Sequence, residues 1–164
     1  MIKGYFYVII FIIYNQIAMK KLEFSITIDA SPEQVWDIII GKDTYSQWTA
    51  PFAPGSSAET DWKKGSKALF LDGKGHGMVS KIVESIRGKF LSIQHLGEVK
   101  DGIEDPTTYQ GEEWGDALEN YFLKEVDGKT EWRVVMDMNE QYAQYMEKTW
   151  PIALEKVKEL AERH

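Results

Sequence analysis

Four residue pairs, Lys64-Gly65, Asp72-Gly73, Arg87-Gly88 and Asp127-Gly128, stand between runs rich in apolar and β-branched residues, and they constrain this chain more than any other feature. Each joint is tight, with a glycine able to adopt the positive φ that short hairpin turns require. Parallel neighbours need a crossover of a dozen or more residues, so consecutive joints of this length imply an antiparallel meander. The spacing predicts strands over 58–62, 66–71, 76–86, 89–96, 118–126 and 130–138.

An earlier strand is written over 22–29. Leu22, Phe24, Ile26 and Ile28 alternate with Glu23, Ser25, Thr27 and Asp29, the period of a half-buried strand. Ser31-Pro32-Glu33-Gln34 then opens a helix: a hydroxyl to cap free amides, a proline suited to the first turn, and a glutamine placed for a capping box. Gly41 ends that helix, and a short second helical segment follows over 43–48. Two prolines make 49–55 a loop. The acidic stretch 97–116 is expected to be a mobile rim element. Over 140–164, Tyr142, Met146, Trp150, Leu154, Val157 and Leu160 recur every three or four residues, the stripe of a long amphipathic helix. Pro151 lies inside it and predicts a kink near 147–150.

The expected class is therefore α+β, in one domain over 19–164. Residues 1–18 differ. They carry one charged residue, Lys3, and an unbroken aromatic and aliphatic run over 5–14. That run is shorter than the roughly 20 apolar residues of a membrane helix, and Gln16 and Ala18 fit a signal-cleavage site poorly. Met19 is read as the true start, with 1–18 a start-site artefact and a secretory signal or membrane anchor as the alternative. The chain has no cysteine, which excludes disulfides, thiolate metal sites and cysteine nucleophiles and fits a reducing cytoplasm. With a net charge of -7 and no Lys/Arg stripe, nucleic acid and stable membrane insertion are not expected.

Ser31-Pro32-Glu33-Gln34-Val35-Trp36-Asp37, the later Trp48, and Trp150 with Leu154, Val157 and Leu160-Ala161-Glu162 resemble the START-like (SRPBCC, birch-pollen-allergen-like) superfamily. Within it the likeness is to the branch named after the activator of heat shock protein 90 ATPase, and it covers nearly all of 19–164. The resemblance implies a helix-grip fold: a seven-stranded antiparallel sheet wrapped around the final helix, two short helices after the first strand, and a cavity between sheet and helix. It also implies several functions, among them binding of lipids and other hydrophobic molecules, co-chaperone activity and, in some members, catalysis.

Aromatic and methionine side chains make adaptable apolar walls. Trp132, Val134, Met136 and Met138 share one strand face, and Met146 and Trp150 share the helix stripe. The candidate wall residues are Trp48, Phe70, Met136, Met138, Met146 and Trp150, with Tyr109, Tyr121 and His95 as polar contacts. Each is equally readable as ordinary core. His95 has no carboxylate partner assignable from spacing and reads first as a satisfied structural histidine. Gly73-Lys74-Gly75-His76-Gly77 separates two strands and reads as a hairpin, not as a phosphate loop, which would lead from a strand into a helix. No two histidines fall at ligand spacing, and Glu104-Asp105 and Glu112-Glu113 are adjacent pairs that do not converge, so neither a metal nor another cofactor is expected. No nucleophile motif is present. These features favour a cytoplasmic binder of a small hydrophobic or amphipathic molecule, admitted between the final helix and the 49–55 and 97–116 loops. A co-chaperone-like activator of a partner ATPase and a cavity enzyme, a cyclase or hydrolase using His95 or Tyr121, are the alternatives.

Overall fold

The computed structural model describes residues 19–111 and 113–163; the extension over 1–18 lies outside them. The elements run β1 (Met19–Ile28), α1 (Pro32–Ile40), α2 (Lys42–Thr49), β2 (Ser57–Glu59), β3 (Lys67–Leu71), β4 (Gly77–Ile86), β5 (Phe90–Lys100), β6 (Ile103–Asp105), a 3-10 turn (Glu113–Asp116), β7 (Leu118–Val126), β8 (Lys129–Asn139) and α3 (Glu140–Ala161). Every strand pairing is antiparallel, in the order β1-β8-β7-β5-β4-β3-β2, with β6 added on β5. The seven-strand path and the two short helices after β1 are those of the helix-grip fold.

The predicted α1 start is realised in full. Ser31 accepts from the Gln34 amide at 3.2 Å and the Gln34 side chain returns to the Ser31 amide at 3.0 Å, so two amides that the first helical turn leaves free are satisfied. Alternation sets the inner face of the sheet: Leu22, Trp132, Val134, Met136, Met138, Leu91, Ile93, Tyr121 and Leu123 are buried. α3 lays Ala143, Trp150, Ala153, Leu154, Val157 and Leu160 against the core. Burial of a side chain such as Leu154 or Val157 contributes about 1.5–3 kcal/mol.

Four local expectations change. The strand expected over 58–62 stops at Glu59, and Trp62 takes a left-handed backbone (φ 60°) that lets its ring lie 5.9 Å from both Tyr45 and Phe70. The 97–116 segment is not all rim loop. β5 runs on to Lys100 and turns through Asp101-Gly102, both at positive φ, into β6, so this Asp-Gly pair makes a hairpin like the others. Helix α3 contains Pro151, as expected, but ends at Ala161, three residues short of the expected limit. Tyr142 is 54% exposed, because Ala143 takes the inward place at that turn of the stripe.

Candidate functional site

Two adjoining cavities open on the concave face, of about 390 Å³ and about 470 Å³. Both fall in the range of small-molecule sites. The first is walled by Trp48, Phe52, Phe70, Tyr121, Met146 and Trp150, with Tyr45 and Tyr145. The second is walled by Met136, Met138, Tyr109, Leu118 and Tyr142. Met78, His95, Glu119 and Met146 border both. All nine residues singled out from sequence therefore reach one cavity or the other, His95 and Met146 reaching both. Among the described residues, no group of three or more His, Asp or Glu side chains is placed to hold a metal ion.

Each wall has a structural cause. α1 and α2 fold over the end of the sheet so that the Trp48 indole N–H donates to the Ile39 carbonyl at 3.1 Å, supplying a donor to one of the last carbonyls of α1. Trp48 then meets Trp132 edge-on (5.9 Å, 89°), and Trp150 meets Tyr121 (5.9 Å, 76°) and Phe52 (5.1 Å, 67°) in the same way. Edge-to-face pairs of this kind add about 0.5–1.5 kcal/mol beyond area burial. The 49–55 loop is held to α3 where the Tyr145 hydroxyl donates to the Phe52 carbonyl at 2.6 Å.

At the border of the cavities lies a polar chain. His95 Nδ1 is 2.8 Å from the Ser80 hydroxyl and His95 Nε2 is 3.0 Å from Glu119 Oε2, while the Tyr121 hydroxyl donates to Glu119 Oε1. A carboxylate only accepts, so with a neutral imidazole Nε2 carries the proton and Nδ1 receives the Ser80 hydroxyl hydrogen. Ser80 is fully buried, and its hydroxyl orients the imidazole. Burial, reinforced by the negative Glu119, pushes the Tyr121 phenol well above its usual range and raises Tyr45 in the same direction. Both therefore remain hydroxyl groups at neutral pH. The arrangement can bind a polar group or hold a proton beside an apolar chamber.

His95 thus has the carboxylate partner that spacing alone did not reveal. Glu119, Ser80, Tyr45 and Tyr145 were missed in sequence. Glu119 had a legible signal, since it shares its strand face with Tyr121 and Leu123 and puts a carboxylate among inward positions. His76, expected only as a strand-entry residue, sits at the mouth of the first cavity between Asp72 (3.6 Å) and Asp101 (3.3 Å), in a hairpin held by the Asp72 carboxylate.

The family described as "Activator of Hsp90 ATPase homolog 1-like protein" matches residues 29–162. The chain belongs to this family. Solved structures share its fold: the Aha1 dimer from Colwellia psychrerythraea (20% identity, 87% of this chain and 96% of that one, TM-score 0.67), a protein from Mesorhizobium loti (13%, 88% and 98%, 0.68) and CalU16 from Micromonospora echinospora (14%, 88% and 77%, 0.61). No curated protein matches the sequence. Among the described residues, no helix is long and apolar enough to cross a membrane.

Proposed function

We propose that this chain binds a small hydrophobic or amphipathic molecule, lipid-like in its apolar body, in the space between the sheet and α3, and that it does so in the cytoplasm. The observation that carries this reading is the pair of adjoining cavities, walled by aromatic rings and methionines and bordered jointly by Met78, His95, Glu119 and Met146. Such walls repack around different apolar shapes. Native mass spectrometry of freshly purified protein tests the reading. The expected result is an apolar adduct that Met146→Trp, which fills the border of both cavities, excludes; an adduct retained in full by that variant counts against it.

Activation of a partner chaperone ATPase is a second reading, supported by membership of the family over residues 29–162. Its test is the rate of ATP hydrolysis by a purified chaperone ATPase with and without this chain. A rate independent of added chain removes it.

A further inference from the structure

The charges around the two cavities are of one kind. Glu119 borders both, Asp72 lines the first, and Glu98 and Asp137 line the second, Asp137 being paired with Lys21 at 3.2 Å. Among the described residues, no lysine or arginine lines either. The basic side chains there, among the described residues, are His95, already engaged by Glu119, and His76, which lies between two aspartates. A ligand carboxylate or phosphate placed beside Glu119, whose side chain is largely buried, would meet like charge where Coulomb repulsion is weakly screened.

Glu119 is only 18% exposed, and two of its acceptor positions are taken by His95 and Tyr121. A carboxylate offers about four, so capacity remains on the cavity side for a further donor. The surroundings also suit a cation. Tyr45 and Phe70 stack at 6.1 Å, Phe70 stands edge-on to His95 at 6.1 Å, and Tyr121 lies beside the carboxylate, so a cluster of aromatic rings borders the same chamber. Aromatic faces attract ammonium groups, most strongly where water is excluded.

We infer that the cavity selects an amphipathic organic cation, an apolar body bearing a protonated amine whose N–H groups donate to Glu119. The inference rests on the cavity-binding reading above and specifies the head group of its ligand. An anionic amphiphile such as a fatty acid is the class it excludes.

Isothermal titration calorimetry on the full chain with decylamine, decanol and decanoate, matched in apolar body and differing in head, tests it. Decylamine is expected to bind tightest, by about tenfold or more over decanol, the scale of one charge-assisted hydrogen bond, with decanoate weakest. Glu119→Gln, close to isosteric, is expected to collapse the ratio of amine to alcohol affinity to about twofold or less. Decanol or decanoate binding as tightly as decylamine overturns the head-group inference and leaves the cavity reading standing. So does an unchanged ratio in Glu119→Gln; should that variant not fold, the wild-type ranking alone decides. If none of the three binds, or if Met146→Trp binds all three as wild type does, the cavity reading fails and the inference with it.

Discussion

Trp48 and Trp132 touch at 5.9 Å in one aromatic cluster, and both are buried, yet their indole N–H groups are in opposite circumstances. The Trp48 N–H donates to the Ile39 carbonyl; the Trp132 N–H has no acceptor among the described residues. Replacing either by phenylalanine removes the same atoms from the core, at a cost of about 1–2 kcal/mol for the lost contacts and the small void. Trp48→Phe also strands a buried helix-end carbonyl, a further penalty of about 1–3 kcal/mol. Trp132→Phe instead removes an unsatisfied donor, which offsets the packing loss by a similar amount. Trp48→Phe should therefore be the less stable of the two by about 2 kcal/mol or more, with Trp132→Phe within about 1 kcal/mol of wild type. Urea unfolding followed by circular dichroism reads this as a midpoint gap of roughly 1 M between the variants, provided their m-values agree. Equal losses, or a greater loss for Trp132→Phe, would refute the argument.

Acid stability and the β5–β6 hairpin give two further predictions. The Glu162 carboxylate accepts from the Asp29 amide and from Lys158, which hold its pKa below the ordinary carboxylate value. A depressed folded-state pKa stabilises fully above the unfolded value of about 4.3 and is lost as pH falls through the folded one. Glu162→Gln should thus lower the urea midpoint at pH 7 and match wild type at the acid end of the profile; a gap that persists there contradicts the linkage. Gly97→Ala should cost roughly 1–3 kcal/mol by overpacking, because its Cβ would overlap the Asp105 carbonyl oxygen. Hydrogen exchange should accelerate first in 97–105, and unchanged protection there would show that the hairpin is not held as described.

Local chemistry made much of the fold legible. The alternation of Leu22, Phe24, Ile26 and Ile28, the capping box at Ser31 and the joints at Arg87-Gly88 and Asp127-Gly128 each act over a few residues and form as expected, whereas Lys64-Gly65 lies in a longer connection between Glu59 and Lys67. β6 escaped because Ile103, Glu104 and Asp105 are all exposed and carry no inward alternation. The Ser80–His95–Glu119 chain escaped for a different reason. Ser80 faces His95 only through a bulge after Val79, and Glu119 reaches His95 diagonally, because its own register partner on β5 is Ile93. The β4–β5 register is shifted by two bulges, and the β5–β7 register is set by the assembled sheet, so spacing alone did not supply these contacts. Tyr142 and Ala143 were exchanged in the stripe because they stand four and three residues before Met146, spacings that both fit one helix face, and the smaller residue turned inward.

The central claim is that an apolar molecule lodges between the sheet and α3. Methyl-resolved NMR of methionine-labelled protein titrated with decanol tests it directly, since Met78, Met136, Met138 and Met146 all border the cavities. The account predicts saturable shifts at these four methyl groups, with Overhauser contacts from Met146 to the decanol chain. Four unmoved methyl resonances, with decanol contacts confined to the outer face of the sheet, would contradict it.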